Sequence, residues 1–420
     1  MLCQFTFENF KSFKKETTLD LYAEKISEHE KSVIIDKTDQ ETFLPVIAIY
    51  GPNGGGKSSV LEAFVYLSYK ILLPVVALKS MSSSKEENIE DGKMKEFKKF
   101  PVEEKEKYYK FERKYKDLPM KFDVSFRIKE MEYKYQLSIL HNDVVEENLY
   151  VKNIKTKKLD IVFERNKSDH FIGSILGDIK IGNIKSTIPL LSHLSINYED
   201  EIIDSIITWF MQCRVLDYDN PYQDKRIVFL KDEKNEEMFL KMLVEMDISI
   251  TGIRSVKDMD GKITAVYTKH CLNDGSCQEL PFGEESSGTR KLFGLLPFLL
   301  KCLNIGGIII ADEMDAKLHP KLLKYIIGLF TNPIINKNGA QLIFTSHDMT
   351  TMKPSVFRRD EIWFSALNKE NASNLYSLVE FRKENGTKPR LDESYDKQYI
   401  EGRYGADPYL KSILDWRNIR

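Results

Sequence analysis

The chain is poor in cysteine. Cys3, Cys213, Cys271, Cys277 and Cys302 make five in 420 residues, an odd number with no CxxC pair. That excludes a disulfide framework or a zinc ribbon and suits a reducing compartment. Net charge is also nearly missing: 62 Lys and Arg against 64 Asp and Glu leave −2. A basic protein that coats nucleic acid and an acidic disordered tail are both excluded, while a local basic patch stays open. No run reaches the roughly 18 uncharged apolar residues of a membrane helix. The longest, Ile71–Leu78 and Leu292–Leu300, fall short. The first residues alternate like a strand and lack the basic and apolar regions of a secretory signal. The expectation is a cytoplasmic protein with no membrane span.

What is present is ordinary globular material, 42% hydrophobic and 11% aromatic, enough for two or three domains. Residues 1–8 alternate Cys3, Phe5 and Phe7 against Gln4, Thr6 and Glu8, with Thr17–Tyr22 as a partner strand. Phe43–Tyr50 is a nearly continuous apolar run, as in a strand buried on both faces. A helix bearing Val60, Leu61, Phe64, Leu67 and Ile71 follows, stopped by Pro74. Between Lys85 and Asp117 lie 11 basic and 10 acidic residues, a solvated charged segment or a partner-contacting arm. Period-2 strands follow at 122–128 and 133–139, then a helical stretch at 196–250 and a hairpin turning at Asp260-Gly261. From Glu284 onward helices alternate with the buried strands Ile308–Ala311 and Leu342–Thr345, which implies a mostly parallel sheet covered by helices. The fold class is α/β. One nucleotide-binding domain is assembled from both ends (1–78 and 251–420), with 79–250 inserted as a middle lobe.

Residues 51–58, GPNGGGKS, satisfy GxxxxGKS between an apolar strand and an amphipathic helix, the context that motif requires. The glycines let backbone N–H groups close on phosphates, Lys57 supplies a cation, and the Ser58 hydroxyl reaches Mg²⁺. Ile308–Ala311 ends in Asp312, placed to hold the Mg²⁺ shell, and Glu313, placed to polarise an attacking water. His347 ends the next apolar strand, 35 residues after Asp312, where it can meet a γ-phosphate. Glu285-Ser286-Ser287-Gly288-Thr289 opens an apolar helix 26 residues before Asp312, counted from Ser286. It reads as an anion site or simply as an N-cap.

The order of these motifs, with Asp315–Pro320 (DAKLHP) after the acidic pair, resembles the ABC-type ATPase superfamily. The opening FENFKSF at 7–13 is similar to its SMC/RecF/OLD branch. RRDEIWF at 358–364 and YIEGRYGADP at 399–408 resemble stand-alone prokaryotic defence ATPases of the RloA kind and the AriA subunit of PARIS anti-phage systems. The resemblance covers roughly 1–75 and 250–410 and implies an ABC-type P-loop fold. It implies that Asn53, Gly54, Gly56, Lys57, Ser58 and Ser59 bind the phosphates of ATP, with Lys11 and Ser12 near the base or ribose. Asp312 would serve Mg²⁺, Glu313 would be the general base and His347 the γ-phosphate sensor. Ser286, Ser287 and Gly288 would cap the ATP of a second copy, with Asp315 in the loop linking the two sites. A Q-loop glutamine is not identifiable, and Gln136 reads as a structural strand residue.

Three functions compete on these grounds. One is an ATP-driven sensor or scaffold, a homodimer or an oligomer of dimers, that controls a separate effector nuclease, possibly of Toprim type, encoded nearby and released by a phage trigger. Another is a RecF-like DNA-repair ATPase, for which the neutral charge gives little support. The third is a self-contained nuclease, for which the 73 residues after His347 leave too little room for a Toprim domain.

Overall fold

The computed structural model describes residues 1–82, 107–216, 233–246, 248–257, 259, 263–272, 274–316, 318–382, 389 and 393–406. In chain order, β1 (Leu2–Glu8) and β2 (Thr17–Asp20) form a hairpin, β3 (Ile34–Ile35) and β4 (Thr42–Phe43) a short ribbon, and β5 (Val46–Tyr50) leads into α1 (Lys57–Ser82). A meander follows: β6 (Met120–Ile128), β7 (Met131–Leu140), β8 (Asp143–Asn153), β9 (Leu159–Asn166) and β10 (Asp169–Ile172). Next come α2 (Leu190–Asn197), α3 (Glu201–Gln212), β11 (Cys213–Leu216) and α4 (Glu233–Glu245). Then β12 (Ile250–Lys257), β13 (Ile263–Cys271) and β14 (Cys277–Pro281) precede α5 (Ser287–Ile305). The chain finishes with β15 (Ile308–Ala311), α6 (Pro320–Thr331), β16 (Gln341–Thr345), β17 (Ile362–Leu367), β18 (Ser373–Ser377) and α7 (Tyr395–Ile400).

Among the described residues these strands make three larger sheets: β10-β9-β8-β7-β6-β1-β2, β11-β15-β16-β5-β17-β18 and β12-β13-β14. The first is antiparallel throughout. The second is parallel except for its β17–β18 edge, and β5 sits inside it between β16 and β17. Every residue of β5, β15 and β16 is buried, which is what apolar runs in a sheet covered on both faces require. The faces alternate. Ile47, Ile49, Ile308, Ile310 and Ile343 look into one core, shared with α1, α2, α3 and the antiparallel sheet. Val46, Ala48, Ile309, Leu342 and Phe344 look into the other, shared with α5, α6 and α7.

The structure divides the middle of the chain differently from the inserted lobe expected at 79–250. β6 pairs directly with β1, so β6–β10 extend a sheet that the N-terminus opens. The cause is packing: Phe5 and Phe7 leave an apolar sheet face, and Phe126 stacks on Trp209 of α3 with ring centroids 4.0 Å apart to close it. The stretch expected to be helical from 196 to 250 is interrupted by β11, which adds to the parallel sheet beside β15. The charged segment is packed at its end. Tyr109 is fully buried, its N–H donates to Asn9 Oδ1 (2.9 Å), and Asn9 Nδ2 donates to the carbonyls of Tyr115 and Leu118. Residues 83–106 and the Asp260-Gly261 turn lie outside the described residues.

α1 also overrides an expectation, for it runs through Pro74. An interior proline costs about 3 kcal/mol, but Ile71, Leu72, Val75 and Val76 around it are fully buried. At about 1.5–3 kcal/mol per buried aliphatic side chain, their packing outweighs the missing hydrogen bond. Continuous through Pro74, Lys57–Leu78 is long and apolar enough to cross a membrane by length and composition, although Glu62 and Lys70 interrupt it, so that no uncharged run of that length exists. Two thirds of that window (67%) is buried inside the protein.

The RRDEIWF stretch is a structural lock. Arg358 is buried and donates to the carbonyls of Glu24 and Glu28 and to both Asp360 oxygens, while Arg359 pairs with Glu28. Beside it, burial pushes the Glu361 carboxyl from its ordinary 4.5 up to about 8, partly opposed by the Arg358 N–H that donates to it. A folded value above the unfolded one means that this group's contribution to stability is present below about 4.5 and lost as pH rises toward 8. Glu361→Gln keeps an acceptor for the Arg358 N–H and cannot ionise. Urea midpoints for it should match wild type at pH 4 and exceed wild type at pH 8.

Candidate functional site

Parallel strands end at one edge of their sheet, and the loops beyond β5, β15 and β16 meet there. The loop after β5 is held in a shape that only glycine permits at its ends. Gly51 has φ +151° with a Cβ position 2.0 Å from the Ser365 carbonyl, and Gly56 has φ +102° with one 2.4 Å from Ser373 Oγ. The back of the loop is braced. Ser365 Oγ and Ser373 Oγ both donate to the Gly55 carbonyl, at 2.8 and 2.9 Å. Lys57 is buried at the start of α1, with Nζ donating to the carbonyls of Gly51 (3.0 Å) and Pro52 (3.1 Å). Burial pulls its ammonium below the ordinary value, and the carboxylates of Asp312, Glu313 and Asp315 pull the other way. Asn53 and Gly54 are exposed at the rim, while Ser58 and Ser59 stand in the first turn of α1.

The acidic pair is fixed by hydroxyls. Asp312 Oδ1 accepts from Ser58 Oγ (3.1 Å) and from Thr345 Oγ1 (2.5 Å). Thr345 Oγ1 in turn accepts from the Glu313 N–H at 2.7 Å. Glu313 itself has φ +47°, a left-handed conformation that non-glycine residues hold only where surroundings impose it. Its side chain is solvent-facing, with Oε1 3.9 Å from His347 Nε2. The His347 N–H donates to both oxygens of Asp315, at 3.2 Å each. So Lys57, Ser58, Asp312, Glu313, Asp315 and His347 form one cluster at the strand tips. A serine hydroxyl and an aspartate form an oxygen-only donor set, the kind that a magnesium ion takes beside a phosphate. The residues fit a nucleotide with Mg²⁺.

Ser286 caps α5: its Oγ accepts the Thr289 N–H at 3.1 Å. Ser286 and Ser287 are exposed, and no hydrogen bond among the described residues joins Ser286–Gly288 to the loop at 51–59. Lys11 and Ser12, expected near a base or ribose, have other partners. Lys11 pairs with Glu62 of α1, and Ser12 Oγ lies 2.8 Å from Ser373 Oγ, to which it can donate while Ser373 donates to the Gly55 carbonyl. Ser12 adjoins the loop through Ser373. Gln136 donates to Asp123 at 2.8 Å within the antiparallel sheet, a structural contact.

Two parts of the site escaped the sequence. Thr345 reads there as the end of an apolar strand, although a hydroxyl directly before Ser-His is the available signal. Lys291, two residues beyond the Glu285–Thr289 signature motif, is buried and donates to the carbonyls of Met314 (3.2 Å) and Ala316. It ties the helix behind Ser286 to the loop that carries Glu313 and Asp315. Lys291→Met would leave those carbonyls without their cation. Unmet buried polar groups cost about 1–3 kcal/mol, a loss of stability that chemical denaturation should register.

A family model described as "AAA domain, putative AbiEii toxin, Type IV TA system" matches residues 46–353. No curated protein is a significant match. Among solved structures the chain is similar to an SMC head bound to the C-winged helix domain of ScpA, at 12% identity and TM-score 0.43, covering 90% of this chain and 97% of that one. It is similar to the SMC head domain from Thermotoga maritima, at 12% identity and TM-score 0.40, with 90% and 98% covered. A third is the Smc head with an extended coiled coil bound to the C-terminal domain of ScpA derived from Pyrococcus furiosus, at 11% and 0.38, with 90% and 96% covered.

Proposed function

We propose, from the premise that this chain belongs to the AAA-domain family described as putative AbiEii toxins of type IV toxin–antitoxin systems, that it binds and hydrolyses ATP at a site completed by a second copy of itself. One observation carries the reading: Ser58, Thr345, Asp312 and Glu313 are linked by hydrogen bonds at the mouth of a braced glycine loop. Lys57 and the first turn of α1 would hold the phosphates, and Ser58 with Asp312 would hold Mg²⁺, which supplies positive charge against the phosphate oxygens. Glu313 would accept the proton of the attacking water. His347, positioned through Asp315, would sense the terminal phosphate. The exposed Ser286–Gly288 cap makes sense as an anion site for a partner's nucleotide in a symmetric pair, because in its own chain it faces solvent.

Beyond hydrolysis, we read the chain as a cytoplasmic ATP-driven sensor or scaffold in anti-phage defence that retains or releases a separate effector nuclease. The family description supports this reading over a RecF-like repair ATPase, and the net charge of −2 adds nothing for DNA. Nucleotide can alter the hold on an effector only if the two states bind it differently.

Lys57→Ala should abolish nucleotide binding in calorimetry. Glu313→Gln should keep ATP bound, lower turnover by 10²-fold or more, and elute as a dimer in ATP by light scattering. Monomers in both wild type and Glu313→Gln would defeat the shared site. Co-expressed with the product of the neighbouring gene, wild type should retain it in a pull-down, and Glu313→Gln should change the amount. Deletion of 85–106 should weaken that capture while leaving turnover intact; the deletion must stop before Tyr109, which is core.

A further inference from the structure

The three-stranded sheet that precedes α5 carries two thiols in register. Cys271 on β13 faces Cys277 on β14, and their Sγ atoms lie 3.7 Å apart. The N–H of Leu272 donates to the Ser276 carbonyl at 2.8 Å, which makes 272/276 a hydrogen-bonded pair. In an antiparallel ladder the adjacent pair, 271/277, is then non-hydrogen-bonded, the arrangement in which facing side chains approach most closely. Its Cα separation of about 4.5 Å falls inside the range that a disulfide spans. Both thiols are exposed, whereas Cys3, Cys213 and Cys302 are buried. The same hairpin holds the start of the signature. Thr268 Oγ1 donates to Glu285 Oε1 at 2.5 Å, and His270 Nε2 lies 2.8 Å from that oxygen, one residue before the Ser286 cap.

We propose that Cys271 and Cys277 form a reversible dithiol–disulfide site, reactive toward hydrogen peroxide, that staples this hairpin beneath the signature. One thiolate attacks a peroxide oxygen, giving a sulfenic acid and the first water. The second thiol attacks that sulfur, the S–S bond forms, and a second water leaves. The two thiols lose two electrons and the peroxide gains them. The staple sits next to His270, so it fixes the strand pair that positions Glu285 and resists the shift of the signature toward a partner's nucleotide. The effect on turnover rests on the ATPase reading above; formation of the bond does not.

The test uses the full chain, reduced and then treated with hydrogen peroxide. Non-reducing peptide mapping should find residues 271 and 277 joined within one chain, with two hydrogens lost and dithiothreitol restoring them. ATP turnover of the oxidised wild type should fall at least twofold and recover on reduction, and Cys271→Ser and Cys277→Ser should be insensitive. Free thiols at both positions after peroxide, or a link between two chains, overturns the site. A joined hairpin with unchanged turnover in an active ATPase overturns the coupling. A joined hairpin in a protein with no turnover even when reduced upholds the dithiol site and removes the ATPase reading instead.

Discussion

One carboxylate oxygen organises the strand tips. Asp312 Oδ1 accepts hydrogen bonds from two hydroxyls that arrive on different elements, Ser58 from α1 and Thr345 from β16. A carboxylate at the end of a strand buried along its whole length would otherwise stand poorly solvated, and charge-assisted hydrogen bonds stabilise it where it stands. The consequence reaches Glu313. Thr345 accepts the Glu313 N–H, which holds that residue in its left-handed turn and its carboxylate out in solvent beside His347. The hydroxyls of Ser58 and Thr345 therefore set both the pair that holds charge and the side chain that meets water.

The same site depends on joining distant parts of the chain. β5 pairs with β16 and β17, both more than 290 residues further on. Gln341, fully buried, locks the join, for its side chain accepts the Leu2 N–H and donates to the carbonyls of Leu2 and Leu44. Arg358 and Asp360 tie residues 24–28 to β17 in the same way. Such pairings are non-local, and closing long loops before contacts form is slow. The glycine loop is thus braced from behind by Ser365 and Ser373 only once the C-terminal strands are in place.

Much of this could be read from residue order. The motifs at 51–58, 312–313 and 347 announce themselves because their chemistry demands particular residues at fixed spacing after apolar strands. Of the antiparallel sheet, β1, β2, β6 and β7 are legible as strands, while β8–β10 are not, and neither is the pairing of β6 with β1, since alternation gives faces and not partners. β11 was hidden because four residues after a helix carry too little periodicity to register. Pro74 misled because local propensity says nothing of the four apolar side chains buried around it. Ser12 reads by resemblance as lying near a base or ribose, and the structure sets its hydroxyl against Ser373, a partner that spacing does not reveal. Lys291 was invisible as a bridge because a lysine's carbonyl partners cannot be read from spacing.

The signature shows why two readings of one motif need not compete. Ser286 accepts the Thr289 N–H and so satisfies one of the unpaired amides at the start of α5. That cap straightens the first turn and leaves Ser287 exposed at a helix N-terminus, whose dipole favours an anion. Behind it, Lys291 ties the helix to the carbonyls of Met314 and Ala316, and Glu285 ties the preceding loop to Thr268 and His270. A surface held on both sides moves as a unit. A displacement at the three-stranded sheet therefore has a continuous path of named contacts to the loop carrying Glu313, and a structural cap is the condition for the anion site proposed there to be rigid enough to act.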